Sequence, residues 1–154
     1  MTVAVSIPGH GDLRLEHLIL DVNGTLTNRG ELLDGVEERL VRASRALDIR
    51  LVSADTFGTL DVIAERLKVG AVRAASGADK VRVLDELGRE HSVVIGNGAN
   101  DVPALAAAAL GIAVLGPEGA SGAALRLADI VCASVADALD LLLDPNALTA
   151  TLRT

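Results

Sequence analysis

Aromatic and basic side chains are scarce in this chain of 154 residues. Phe57 is the only aromatic residue, although half of the residues are hydrophobic, so the core must be built from Leu, Val, Ile and Ala. The 14 basic residues are outnumbered by 21 acidic ones, and the net charge is −7. This balance argues against nucleic acid or an anionic membrane as a partner. Any phosphate-binding site must be a local exception to the overall charge.

Cysteine and long apolar segments are also nearly absent. Cys132 is the only cysteine, so no internal disulfide can form, and such usage is typical of a reducing cytoplasm. No apolar stretch reaches the length of a membrane span, and no basic region followed by an apolar stretch marks a signal peptide. We therefore expect a cytoplasmic protein without a membrane partner, folded as one domain over residues 1–154.

Apolar runs alternate with helical patterns along the whole chain. Several of the later runs are short and nearly continuous in apolar residues, as in strands covered by helices on both faces. This alternation predicts an α/β fold with βαβ units and a mostly parallel sheet. An edge hairpin from 3–7 and 13–15 and a short closing helix after Asn146 are further expectations. The predicted strands are 3–7, 15–20, 50–53, 71–74, 92–95, 111–115 and 129–132, and the predicted helices are 34–47, 59–67, 79–90, 101–109, 120–127 and 135–143.

Polar residues are concentrated where several of these elements begin or end. An Asp after a strand is more often a helix cap or a turn residue than a functional group. However, the carboxyl ends of parallel strands meet at one edge of a sheet, where α/β proteins bind ligands. The repeated pattern therefore favours a site at that edge. The clusters are Asp21 to Asn23 after the run 18–20, Ser53 at the end of 50–53, Lys80 in 79–90, and Asn97 to Asp101 after 92–95.

The order of these clusters resembles that of the haloacid dehalogenase superfamily and, within it, the phosphorylation domain of P-type ATPases. The likeness runs through nearly the whole chain and implies a three-layer Rossmann-like fold. The closest description is a small soluble phosphatase similar to that domain. Its motifs are the nucleophile loop at 21–27 (DVNGTLT), the second motif at 53–59 (SADTFGT), the lysine at Lys80, the metal-binding loop at 96–105 (GNGANDVPAL), and the segments 110–114 and 128–131.

The resemblance implies a form without a cap domain. Only 25 residues separate Thr27 from Ser53, which leaves no room for the nucleotide-binding insertion of the pumps. The spacing from Ser53 to Lys80 is equally tight. Contacts to a leaving group must then come from a polar flap at 28–33 or from a neighbouring subunit. A homo-oligomer that covers the open site is therefore plausible, and the substrate is expected to be a small phosphorylated molecule.

Physical reasoning on the matching residues gives each a role in phosphoryl transfer. Asp21 would attack phosphorus and form an aspartyl-phosphate. Lys80 would neutralise charge between Asp21 and the phosphoryl oxygens, unless it is a solvated surface lysine. Mg²⁺ prefers hard oxygen ligands, and its expected ligands are Asp21, the backbone carbonyl of Asn23, Asn97 and Asp101.

The phosphoryl group itself would be bound by hydroxyl, amide and ammonium donors. Ser53 lies before an expected helix start, where backbone N–H groups favour anions. Its alternative role is a helix cap, and the loop residues could be simple turn residues. The expected phosphate ligands are Ser53, Ala54, Asn23 and Lys80, and the supporting residues are Gly24, Thr25, Asp55 and Asn100.

Two amides depart from the family pattern. Many phosphatases of the superfamily have an aspartate at the place of Asn23, where it protonates the leaving group and then activates water. An amide cannot do so, and general acid–base catalysis is typically worth about 10²–10⁴-fold. Asn97 likewise replaces the first acid of the metal loop, which predicts weaker Mg²⁺ binding. Asn23 is therefore expected to give slow turnover of alkyl phosphates.

Two functions of different classes are compatible with these residues. The favoured hypothesis is an Mg²⁺-dependent phosphohydrolase that acts through Asp21, with an ATPase-like activity left open. The alternative is a regulatory or phosphate-binding module that kept the fold and lost turnover. A receiver domain is a weaker fit, because such domains need an acidic pair after their first strand. Here Pro8 and Gly9 follow the first predicted strand.

Overall fold

The computed structural model describes residues 2–154, which form ten strands, seven α-helices and two short 3₁₀ turns at Arg89–His91 and Ala99–Asp101. The strands are β1 (Val3–Ile7), β2 (Gly11–Leu15), β3 (His17–Asp21), β4 (Thr27–Asn28), β5 (Glu31–Leu32), β6 (Asp48–Ser53), β7 (Gly70–Arg73), β8 (Ser92–Gly96), β9 (Leu110–Val114) and β10 (Ile130–Cys132). The helices are α1 (Val36–Ala43), α2 (Leu60–Leu67), α3 (Gly77–Leu87), α4 (Val102–Ala107), α5 (Gly122–Leu127), α6 (Val135–Leu142) and α7 (Pro145–Leu152).

The central sheet has six parallel strands in the order β10-β9-β8-β3-β6-β7. The prediction of an α/β fold with a parallel sheet is therefore confirmed. The chain builds outward from β3 to β6 and β7, and then returns to add β8, β9 and β10 on the other side. Open α/β sheets bind ligands at such a reversal of strand order, outside the carboxyl ends of the strands. The ends of β3, β6 and β8 lie together at this point.

Helices cover both faces of the sheet and give the fold three layers. Successive side chains of a strand point to opposite faces, so Leu18 and Leu20 of β3 enter one apolar cluster while Ile19 enters the other. The first cluster includes residues of α1, α2, α6 and α7, and the second includes residues of α3, α4 and α5. The core is aliphatic, as the scarcity of aromatic residues predicted.

The amino-terminal hairpin forms, but it does not extend the central sheet. β1 and β2 pair antiparallel from Val3 opposite Leu15 to Ile7 opposite Gly11, in a separate two-stranded sheet. The predicted strand 15–20 is accordingly divided at Glu16. The backbone N–H of Glu16 bonds to the carbonyl of His91, and its carbonyl accepts from the N–H of Asp48. These bonds redirect the chain from the hairpin into the central sheet.

Two helices differ most from their predicted bounds, for local reasons. The helix predicted at 34–47 ends earlier, at Ala43, and is followed by bonds of the i to i+3 type that tighten the chain. The helix predicted at 79–90 begins at Gly77, because Ser76 and Asp79 form a capping box. It ends at Leu87, since Gly88 has a φ of 98°. The expected closing helix is α7.

The connections between the central strands are short. Between β3 and β6 the chain forms only the small β4–β5 hairpin and α1, and between β6 and α3 only α2 and β7. No cap domain is inserted at either place, as the spacing predicted. None of the helices described for residues 2–154 combines the length and the apolar character needed to cross a membrane.

Candidate active site

The loop that follows β3 turns back on itself and fixes Asp21 at the edge of the sheet. The carbonyl of Val22 accepts hydrogen bonds from the backbone N–H groups of Thr25, Leu26 and Thr27, at 3.2, 2.9 and 3.1 Å. Gly24 has a φ of 76°, a conformation that residues with a Cβ rarely adopt. The tight turn leaves the side chain of Asp21 at the carboxyl end of the central strand.

Lys80 joins the two acidic residues of the predicted site. Its Nζ donates to Oδ1 of Asp21 at 2.8 Å and to Oδ1 of Asp101 at 2.5 Å. All three residues are buried, with exposed fractions of 3% for Lys80, 9% for Asp21 and 2% for Asp101. The hydroxyl of Thr25 donates to the other oxygen of Asp21 at 3.0 Å. Lys80 is therefore an internal counter-ion and not a surface lysine.

The charges in this cluster do not balance, because two carboxylates share one ammonium group. Burial raises the pKa of Asp21 to about 6, and the neighbouring Asp101 adds to this effect, while Lys80 opposes it. Burial by itself would lower the pKa of Lys80, but Asp21 and Asp101 outweigh it and raise that pKa. A further cation beside the two acids would relieve their repulsion.

The loop after β8 supplies Asp101 and places Asn97 against the turn that holds Asp21. Oδ2 of Asp101 accepts from the backbone N–H groups of Asn97 and Gly98, at 3.1 and 2.9 Å. Oδ1 of Asn97 accepts from the hydroxyl of Thr25 at 3.2 Å, and its Nδ2 donates to the carbonyl of Gly119 at 3.0 Å. Thr25 thus links the loops that follow β3 and β8.

Ser53 ends β6 next to Asp21 and is almost fully buried. Its Oγ accepts from the backbone N–H of Asp55 at 2.9 Å, which leaves the hydroxyl proton free to donate. A turn separates Ser53 from α2, which begins at Leu60, one residue after the predicted start. Backbone groups that bind an anion beside Ser53 would therefore belong to a loop.

The polar residues meet around a cavity of about 190 Å³. Lys80 and Asp101 do not line it; the buried Lys80 contacts Asp21 and joins it to Asp101. Of the predicted supporting residues, Asn100 lines the cavity and Asp55 does not. The lining residues are Asp21, Asn23, Ser53, Ala54, Thr56, Asn97, Gly98, Asn100 and Glu118.

Thr56 and Glu118 were not predicted as site residues. Glu118 lies in the loop after β9, a strand whose carboxyl end reaches the same edge of the sheet. The turn sequence from Gly116 to Gly119 was the available signal, because it follows a strand as the other site loops do. Thr56 belongs to the second motif and had no distinguishing feature.

Asp55 acts outside the cavity. Its Oδ1 accepts from the backbone N–H of Leu60 at 3.0 Å, at the start of α2, and its Oδ2 pairs with Arg73. The hydrogen bond from Leu60 and the guanidinium of Arg73 lower the pKa of Asp55 below 3.8. A carboxylate with a lowered pKa in the folded state stabilises it at neutral pH and loses this contribution as pH falls through that pKa.

We therefore predict that Asp55→Asn lowers the thermal midpoint at pH 7, and that the difference from the wild type shrinks as the pH falls below 3.8. Asn tolerates the φ of 60° at this position, so the turn should persist. Thermal unfolding followed by circular dichroism across this pH range would measure the difference. Asp34→Asn, which changes an exposed carboxylate, is the control. An equal deficit at pH 3 and pH 7 would contradict the assigned ion pair.

Three of the four predicted metal ligands line the cavity and fit a hard divalent cation. The prediction for Asp101 is not supported, because it lies outside the cavity and both of its carboxylate oxygens already accept hydrogen bonds. No three His, Cys, Asp or Glu side chains of residues 2–154 form a metal cluster by themselves. The predicted set is mixed: the carboxylates of Asp21 and Asp101, the backbone carbonyl of Asn23 and the side-chain oxygen of Asn97. Oxygen donors of this kind suit Mg²⁺, which commonly binds through one or two carboxylates plus phosphate. The unbalanced negative charge supports the same conclusion.

Comparisons of sequence give two informative relatives. The chain is 43% identical over 93 residues to an uncharacterised protein of Methanocaldococcus jannaschii, which covers 58% of this chain and 96% of that protein. It is 35% identical over 136 residues to a manganese-exporting P-type ATPase of Mycobacterium leprae. That match covers 82% of this chain but only 18% of the pump. No protein-family model matches the chain.

Comparisons of structure agree with the fold. A Legionella pneumophila structure assigned to hydrolases of the haloacid dehalogenase superfamily has a TM-score of 0.67 at 19% identity, over 90% of this chain and 87% of that chain. The 3-deoxy-D-manno-octulosonate 8-phosphate phosphatase of Moraxella catarrhalis, in complex with magnesium, phosphate and 3-deoxy-D-manno-octulosonate (KDO), has a TM-score of 0.65 at 18% identity. It covers 90% of this chain and 94% of that chain.

The fold of the chain is that of structures assigned to the haloacid dehalogenase superfamily, with no cap domain inserted. The sequence is similar to the Methanocaldococcus protein over almost the whole of that protein, and to a segment of metal-exporting P-type ATPases.

Proposed function

We propose that this protein is a divalent-metal-dependent phosphohydrolase that works through an aspartyl-phosphate on Asp21. One observation carries the proposal: Asp21 lines a small polar cavity with Asn23 and Ser53, while the buried Lys80 bonds both Asp21 and Asp101. The cavity volume of about 190 Å³ is sufficient for a phosphoryl group. The Moraxella phosphatase, which was solved with magnesium and phosphate, supports this reading by its shared fold.

Each residue of the site would have its own role in phosphoryl transfer. The hydroxyl of Ser53 and the backbone N–H of Ala54 donate to the phosphoryl oxygens, and Lys80 balances their charge. Asp21 is mostly ionised above pH 7, since its pKa is about 6. Its carboxylate attacks phosphorus and displaces the leaving group. Water then attacks the phosphorus of the acyl-phosphate, which releases phosphate and restores Asp21.

Mg²⁺ would be held by the carboxylate of Asp21, the carbonyl of Asn23 and the side-chain oxygen of Asn97, while Asp101 would add negative charge from outside the cavity. When bound, the ion supplies positive charge that stabilises the transferring phosphoryl group. Thr25 keeps the carboxylate of Asp21 oriented, because its hydroxyl bonds both Asp21 and Asn97. The buried contacts of Asp101 with two backbone N–H groups hold the second acid in place.

Multiple turnover of p-nitrophenyl phosphate in the presence of Mg²⁺ tests this proposal. The expected result is phosphate release well beyond one equivalent per protein chain, stopped by EDTA and restored by excess Mg²⁺. Release of no more than one equivalent would instead favour the second candidate, a phosphate-binding or regulatory module. The amides at Asn23 and Asn97 favour that candidate, because each stands where the family pattern has a carboxylate.

We predict that turnover depends steeply on the leaving group, because Asn23 cannot protonate it. Aryl and acyl phosphates should be hydrolysed faster than alkyl phosphates, and Asn23→Asp should raise the rate for alkyl phosphates by roughly 10-fold or more. Rates across a series of leaving groups of rising pKa would measure the slope in both proteins. The aryl phosphate serves as the internal control, since it needs little protonation. A flat profile in the wild type would show that another group supplies the acid.

A further inference from the structure

We propose that Glu118 restricts the substrates of this site to phosphate compounds whose leaving group is uncharged or cationic. The inference rests on the proposed phosphohydrolase function and adds a specificity-determining residue to it. Glu118 is exposed at the mouth of the cavity, whereas the other acidic residues of the site are buried.

A turn anchored to the metal loop brings Glu118 to this position. The backbone N–H of Gly119 donates to the carbonyl of Gly116 at 3.0 Å, which places Glu118 at the third position of a turn. The carbonyl of Gly119 accepts from Nδ2 of Asn97 at 3.0 Å, and the N–H of Ser121 donates to the carbonyl of Asn97 at 2.8 Å. The turn is therefore fixed to a residue that itself lines the cavity.

The same turn packs directly on the nucleophile loop. A Cβ at Gly116 would overlap the carbonyl oxygen of Gly24, and a Cβ at Gly24 would overlap the carboxylate of Glu118. The side chain of Glu118 thus lies over Gly24, beside Asn23. This is the side of the cavity where the leaving group must depart, because the family pattern places its proton donor at Asn23.

The charge around the cavity has one sign. Among residues 2–154, two charged residues line the cavity, Asp21 and Glu118, and both are acidic. Lys80 is buried behind Asp21 and already shared by two carboxylates. Once a phosphoryl group covers Asp21, Glu118 is the charged lining group left to face the rest of the substrate.

Coulomb repulsion then sets the expected selectivity. Two unit charges a few ångströms apart at a solvated surface interact enough to change a rate by about 3–10-fold. Phosphate esters or acyl phosphates of neutral or amine-bearing molecules would be accepted. Nucleoside triphosphates and phosphates of sugar acids would be disfavoured, since their leaving groups are anionic.

The test compares p-nitrophenyl phosphate with the same compound carrying a carboxylate on the ring, in the wild type and in Glu118→Gln. The expected result is that Glu118→Gln raises kcat/KM for the carboxylated substrate, relative to the neutral one, by about 3–10-fold. Because both proteins are tested with the same two compounds, the difference in intrinsic reactivity between the compounds cancels when their kcat/KM ratios are compared. Glu90→Gln makes the same charge change at the amino end of β8, away from the site, and should leave the ratio unchanged.

The outcomes separate this inference from the proposed function. Asp21-dependent turnover with the same substrate ratio in Glu118→Gln and the wild type would overturn the role of Glu118 alone. An equal change of the ratio in Glu90→Gln would overturn it as well, because net charge and not position would then be responsible. Absence of any Asp21-dependent turnover would overturn the proposed function and this inference together.

Discussion

Asp21→Asn is expected to abolish multiple turnover of p-nitrophenyl phosphate and to leave a folded protein more stable than the wild type. The loss of activity should be on the order of 10⁴-fold or more, because removing a nucleophile leaves only binding and electrostatic effects. Asn keeps the shape of the side chain; its Oδ1 can still accept from Lys80, and its Nδ2 can donate to the hydroxyl oxygen of Thr25, so the loop after β3 should persist.

The gain in stability follows from the raised pKa of Asp21. A carboxyl group whose pKa is higher in the folded state, here about 6 instead of 3.8, lowers the free energy of unfolding when it is ionised. This cost is fully present above pH 6. Replacing Asp21 by Asn should therefore raise the free energy of unfolding at pH 7.5, without metal, by on the order of 2 kcal/mol.

Two measurements check this prediction. Steady-state phosphate release with Mg²⁺ gives the loss of activity, and urea denaturation in EDTA gives the stability. Acid quenching after mixing with labelled substrate should trap an acyl-phosphate on the wild type but not on the variant. Asp34→Asn, at an exposed site, should change neither property. Retained turnover in Asp21→Asn would assign the nucleophile to another residue.

Lys80→Met is the variant expected to have the largest effect on stability. The change leaves Asp21 and Asp101 buried, close together and without their shared cation. Breaking a buried ion pair from one side typically costs about 3–5 kcal/mol, because a charge remains uncompensated. Turnover should also fall by roughly 10²–10³-fold, since a donor that stabilises the phosphoryl charge is lost.

Urea denaturation with and without Mg²⁺ would measure the loss of stability in Lys80→Met and show whether the missing positive charge causes it. Added Mg²⁺ should recover more stability in Lys80→Met than in the wild type, because a cation bound only by the folded state shifts the equilibrium toward it. The chain contains one other lysine, so Lys68→Met at the end of α2 is a matched control. A Lys80→Met protein as stable as the wild type would show that the two acids do not repel each other in solution.

Much of the fold could be predicted from the sequence because its signals are local. The apolar runs 18–20 and 93–95, which lie in β3 and β8, are continuous, as buried parallel strands require, and a polar residue follows each within two positions. The hairpin of β1 and β2 was also visible, since Pro8 and Gly9 lie in a turn between two apolar runs. Its separation from the central sheet depends on the long-range bonds of Glu16, which leave no trace in the local pattern.

The candidate site likewise has residues that the local sequence predicts and residues whose placement depends on long-range packing. Asp21, Asn97 and Asp101 could be predicted, because they stand next to strands in a recognisable order. The burial of Lys80 between two acids could not be read from a helical segment in which it looks like any polar residue. Glu118 was missed because its position depends on how the loop after β9 packs against Gly24.

The contact between Gly116 and the carbonyl of Gly24 makes two loops behave as one rigid part. A larger side chain at Gly24 or Gly116 would displace the loop that carries Asp21, and it would also change the mouth of the cavity beside Glu118. Substrate range can therefore diverge among related proteins only at positions that leave this contact intact, such as 56 and 118. Directed evolution toward a new substrate should begin with a library at those two positions.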